Sequence, residues 1–142
     1  MKILLAVDGS KPSLDAVDLL VQHAGELSAK PVIELITVHL PVPQVGRLTA
    51  RISKEQLAKY YEEEGEANLA AAKKKLDAAG FTYAARVLVG SVAETIVKHA
   101  NTAKCDLICM GSRGMSALGK ALVGSVANKV LQLASQPLLI VK

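Results

Sequence analysis

CDLICMGSRGMSALGKALVGS, residues 105–125, runs from an apolar stretch into a glycine-rich loop and out into a helical pattern. CDLICMG reads as a strand, Gly111 and Gly114 follow it directly, and Gly124-Ser125 opens a helix expected over Ser125–Ala134. A strand feeding a helix in this way is one βα unit of a parallel sheet. The same alternation extends in both directions: KILLAVD with a helix over Pro12–Ser28, VIELITVHL with a helix over Lys54–Ala79, TYAARVLVG with a helix over Ser91–Ala103, and a final PLLIV. Five strands and four helices predict an open α/β sheet covered on both faces.

A chain of 142 residues falls in the range of one domain, expected over 1–142. Hydrophobic residues make up 51%, but no apolar run approaches the about 18 residues that a membrane span needs, so a soluble protein is expected. The opening MKILLAVDGS meets Asp8 too early for a signal-peptide core. Cys105 and Cys109, the two cysteines, stand about 13 Å apart on an extended strand, beyond disulfide reach, and suit buried thiols in a reducing cytoplasm. The net charge of +4 is compatible with an anionic partner. Aromatics at 3% leave no stacking platform for a single-stranded nucleic acid, which points to a small anion instead.

Helix boundaries carry their own chemistry. Ser10 and Pro12 suit a helix start, and Gly80 suits the residue just past the end of the second helix. That helix runs from EEEGE to KKK, an order that complements its macrodipole and marks a solvated face, while Gly65 within it suggests a bend. PVPQVGRLTARIS, residues 41–53, carries Arg47 and Arg51 and leaves the second strand at the sheet edge where ligands bind, as a lid or as a plain connection.

The hexapeptide LVGSVA occurs at 88–93 and again at 122–127. In the first copy Glu94 follows Ser91 by three residues, which predicts a capping box that satisfies the helix start internally. In the second copy Asn128 and Lys129 follow, so the start of that helix offers unpaired amides and a partial positive charge to a phosphate. Arg113, Lys120 and Lys129 add to the positive field. GMSALGKA, residues 114–121, approaches a P-loop but has Ala121 where the motif needs Ser or Thr for magnesium.

Gly111, two residues, Gly114, nine residues and Gly124-Ser125, with an opening strand that ends Val7-Asp8-Gly9-Ser10, resemble the nucleotide-binding branch of the universal stress protein family. The likeness runs from ILLAVDGS to PLLIVK. It implies a five-stranded parallel sheet in the order 3-2-1-4-5, homodimers, and ATP at the carboxyl edge of the strands. Transferred to matching positions, it puts Ala6, Val7 and Asp8 beside the adenosine, Val38 beside the adenine, and Met110 and Gly111 beside the ribose. Gly114, Gly124, Ser125 and Val126 would receive the phosphates, with Arg113 nearby. Magnesium or manganese would accompany the nucleotide, although no carboxylate cluster near the loop marks its ligands.

Asp8 also suits a cap shared with Ser10, and Val38 suits core packing. His39 could reach the site from the same strand end, although a bond to nearby backbone suits it better, and His23 and His99 show no evident partner. The apolar final strand, Pro137–Val141, would expose a bare edge unless a two-fold partner adds its own, which predicts a homodimer. The functional expectation is a cytoplasmic, dimeric ATP-binding module of the stress response that acts on a downstream protein. Its rivals are a slow ATPase or adenylate-transfer enzyme, and a stress-protein dimer that works by protein contacts alone. No catalytic set accompanies the glycine loop, so binding rather than turnover is expected.

Overall fold

The structure is a computed structural model that describes residues 1–43, 51–114 and 123–142. Five strands, β1 (Lys2–Ala6), β2 (Val32–His39), β3 (Tyr83–Val89), β4 (Leu107–Gly111) and β5 (Leu138–Val141), form one sheet in the order β3-β2-β1-β4-β5. Every neighbouring pair is parallel. The helices are α1 (Lys11–His23), α2 (Lys54–Ala78), α3 (Val92–Thr102) and α4 (Ser125–Leu133).

The period of two along each strand sorts the core into two layers. Ile3, Leu5, Ile33, Leu35 and Cys109 pack with Ala16, Val17 and Leu20 of α1 and with Leu69, Ala72 and Leu76 of α2. Leu4, Ala6, Ile36, Ile108 and Met110 pack with Ala93, Ile96 and Ala100 of α3 and with Ala127 and Val130 of α4. The chain therefore winds both ways from β1, and the reversal between β1 and β4 opens a crevice at their carboxyl ends.

Helix ends differ from the sequence reading where tertiary contacts decide. α1 stops at His23 rather than Ser28, and a 3-10 turn over Ala24–Glu26 replaces its last turn beside Gly25. α2 ends in a Schellman motif, with the Gly80 N–H on Asp77 and the Phe81 N–H on Leu76, and Gly80 at φ +68°. It begins with a capping box that the sequence reading missed, as the Gln56 N–H donates to Ser53 Oγ and the Ser53 N–H to Gln56 Oε1. Gly65 makes a close contact: an added Cβ would lie 2.4 Å from both methyls of Val87, so glycine lets α2 approach β3. Cys105 precedes β4 instead of lying in it, and both cysteines are buried and free.

Candidate functional site

A cavity of about 580 Å³ opens at the carboxyl ends of β1, β2 and β4. Its floor is made by Ala6, Val38 and Met110, the last inward-facing residues of those strands. Val7 and Asp8 come from the turn after β1, Gly111, Arg113 and Gly114 from the turn after β4, and Gly124, Ser125 and Val126 from the start of α4. The fold thus brings all eleven residues singled out in the sequence to one cleft. The central part of the 41–53 segment, with Arg47, and most of the near-P-loop, with Lys120, lie outside the described residues.

Asp8 serves the turn as well as the cavity. Its Oδ1 accepts the Ser10 N–H at 3.0 Å and the Ser10 hydroxyl at 2.5 Å, closing an Asx-type turn ahead of α1. Ser13, 3% exposed, donates its hydroxyl to the Ser10 carbonyl at 2.8 Å and accepts the Asp8 N–H at 3.3 Å. The loop is therefore held by its own short side chains. Gly111 and Gly114 have packing reasons as well: a Cβ at Gly111 would lie 2.6 Å from the carbonyl of Pro12, and one at Gly114 would lie 2.6 Å from Asp8 Oδ2. Both glycines draw the β1 and β4 turns together.

The two LVGSVA copies enter their helices one residue out of step. Ser91 is the N-cap of α3, with its carbonyl taken by the Thr95 N–H, whereas Gly124 is the N-cap of α4, with its carbonyl taken by the Asn128 N–H. The expected capping box at Ser91 does not form, because its side chain makes no cap hydrogen bond. Glu94 instead takes Lys129 as its ion-pair partner, which, with a bond to its own backbone, lowers its pKa. Lys129 is thereby directed at α3 rather than at the cleft, a correction to the field expected from it.

At α4 the Gly124 N–H donates to the Ser112 carbonyl at 2.6 Å, so this amide is already used. The next three, Ser125, Val126 and Ala127, have no intrahelical acceptor by virtue of their place in the first turn. No side chain caps this helix and no acidic residue stands in its first turn. All three residues line the cavity, giving that end a partial positive charge and N–H donors suited to an anion.

The histidines depart from expectation. His39 lines the cavity, the less favoured of its two readings; its Nε2 is buried with no hydrogen-bond partner among the described residues, and its ring stands 6.0 Å from that of Tyr61. His99 has a partner after all, with Nε2 3.2 Å from Glu34 Oε2, and His23 Nδ1 lies 2.8 Å from Glu26. The sequence reading also missed Ser13, Asn68 and Ser112 in the cleft wall. Asn68 alone had a detectable trace: it falls on the stripe of α2 that buries Gly65, Leu69 and Ala72, where a polar residue is out of place. Among the described residues, no group of three or more His, Cys, Asp or Glu side chains is placed to hold a metal ion. No helix among them is long and apolar enough to cross a membrane.

Comparison with known proteins agrees with this architecture. The universal stress protein family model matches residues 1–142. Universal stress protein MJ0531 of Methanocaldococcus jannaschii is 37% identical over 141 residues, which cover 99% of this chain and 81% of that protein. The solved structure of MJ0577, from the same organism, superposes with a TM-score of 0.79 at 27% identity, over 99% of this chain and 94% of that one. A universal stress protein solved in complex with cAMP superposes with a TM-score of 0.67 at 27% identity, over 100% of this chain and 97% of that one. With its whole length matched, and with the strand order and glycine turns that its sequence foreshadows, the chain belongs to the universal stress protein family.

Proposed function

We propose that the cleft binds an adenine nucleotide, with ATP as the expected ligand, and that the protein acts as a stress-response binding module. The observation that carries this reading is the first turn of α4: three main-chain N–H groups without an intrahelical acceptor border the same cavity as the ends of β1 and β4. A nucleoside fits the apolar part, beside Ile36, Val38 and Met110, and its phosphates fit the amides of Ser125, Val126 and Ala127 with Arg113 alongside. Gly124 contributes close approach rather than its N–H. The related structure in complex with cAMP supports an adenine ligand in this fold.

Asp8 is the one carboxylate on the cavity wall among the described residues, and it is engaged by Ser10. That donor set does not make a protein-built magnesium or manganese site, so a cation would come with the phosphates. The reading is one of binding, which the amides at the start of α4 support.

Residues 1–142 would act as one cytoplasmic domain and pair through Pro137–Val141. β5 is an edge strand of half-buried apolar residues, and Leu131 and Leu133 on the adjoining α4 are 59% and 46% exposed. Sedimentation as a dimer at micromolar concentration is the expected result, and a monomer there removes the pairing. For the ligand, mass spectrometry of small molecules released on denaturation should detect an adenine nucleotide, and calorimetry with ATP, ADP, AMP and cAMP should rank them. Failure of all four to bind below millimolar concentration overturns the reading.

A further inference from the structure

We infer that Asn68, on α2, reads the base of the bound nucleotide and sets its preference for adenine over guanine; this rests on the nucleotide reading of the cleft. Asn68 lines the cavity and is half-buried, yet its carboxamide has no hydrogen bond to another described residue. Asparagine is a poor helix former, and here it sits inside a 25-residue helix on the stripe that faces the sheet. A residue that weakens its own helix and bonds to no other described residue is best explained by a ligand.

Its position is fixed by the neighbouring turn. A Cβ on Gly9 would lie 3.4 Å from Asn68 Cα and 3.3 Å from its Oδ1, so α2 is packed directly against the loop that carries Asp8. The side chain is thereby held beside the β1 turn, which the nucleotide reading assigns to the adenosine. Ile36, Val38 and Leu40, from β2 and its exit, give that end an apolar lining that grips the faces of any base without discriminating between them, and His39 beside them adds a ring whose Nε2 has no hydrogen-bond partner among the described residues. A carboxamide supplies one donor and one acceptor side by side, the complement of adenine N6–H and an adjacent ring nitrogen. A carboxylate supplies acceptors only and matches the N1–H and N2–H donors of guanine.

The test is calorimetric titration of the unaltered protein, Asn68→Ala and Asn68→Asp with ATP and GTP. The unaltered protein should prefer ATP, and Asn68→Ala should lose affinity for ATP by about tenfold to a hundredfold while GTP changes little. Asn68→Asp should shift the ratio toward GTP. Thermal unfolding should show Asn68→Ala at least as stable as the parent, since alanine is the better helix former, which separates lost recognition from lost folding. Equal losses for ATP and GTP, or an unchanged ATP/GTP ratio in both variants, overturn the assignment to Asn68 while leaving the cleft intact. Binding of neither nucleotide by the unaltered protein overturns the reading of the cleft itself, and the inference with it.

Discussion

Replacing Ser125 with Asp should make the protein more stable and a poorer nucleotide binder at once. Ser125 is the first residue of α4, is exposed, and lines the cleft, and no acidic residue occupies that first turn. A carboxylate there complements the helix macrodipole by about 0.3–1 kcal/mol, equivalent to a rise in Tm of roughly 1–3 °C for a chain of this length. The same carboxylate would stand about 4 Å from a phosphate seated on the Ser125, Val126 and Ala127 amides. Repulsion at that distance is about 1–4 kcal/mol between effective dielectric constants of 80 and 20, or roughly fivefold to a thousandfold in Kd. Thermal unfolding without ligand and calorimetry with ATP read the two effects separately. Ser91→Asp is the control, because Ser91 caps α3, is equally exposed and stands outside the cleft; it should leave Kd unchanged. If Ser125→Asp raises Tm and Kd stays within twofold, the phosphates do not sit on α4 and the reasoning fails.

Three further substitutions or conditions probe the frame around the site. Thr37→Val should stabilise by about 1–3 kcal/mol in urea unfolding, because Thr37 is 1% exposed and its hydroxyl has no hydrogen-bond partner among the described residues. Gly65→Ala should destabilise by about 1–3 kcal/mol despite the better helix propensity of alanine, since the new methyl meets Val87 at 2.4 Å; adding Val87→Ala should restore most of the loss in a double-mutant cycle. Burial pushes the Cys109 thiol up to about 12, so native protein at pH 8 should resist iodoacetamide at this residue, with labelling seen only on unfolding. The sign for stability follows: the folded state holds this proton more tightly than the unfolded one. The contribution is therefore complete below about 9, the ordinary thiol value, and is lost as pH rises toward about 12.

Much of this molecule was readable in its sequence, and for a definite reason. The runs around Leu4, Leu35 and Ile108 are buried on both faces, so they appear as continuous apolar strings between helical patterns, the mark of a parallel sheet. The turns at Gly111 and Gly114 were readable because close approach, of the Pro12 backbone at one and of the Asp8 carboxylate at the other, favours glycine. Asn68 was harder to find. It stands out as a polar residue on the buried stripe of α2, but its place in the cleft depends on how α2 lies across β2, a long-range contact that no local pattern records.

The repeated hexapeptide shows where local reading stops. Both copies were expected to start a helix at the serine, and the difference was assigned to Glu94 against Asn128. In the structure the first copy does cap with Ser91, but the second enters its helix one residue earlier, on Gly124. The cause lies outside the hexapeptide: the Ser112 carbonyl takes the Gly124 N–H, and the Ser112 N–H in turn is held by the Val141 carbonyl of the edge strand β5. An added Cβ at Gly124 would lie 3.1 Å from that Ser112 oxygen, so this contact favours glycine. Anchoring the cap to the residue just after β4 moves Ser125 from a capping position into the first turn, where its N–H joins those of Val126 and Ala127 at the cavity wall. The row of amides that the second copy turns toward the cavity is thus a tertiary property, created by the bond between Gly124 and Ser112 rather than by the absence of a glutamate alone.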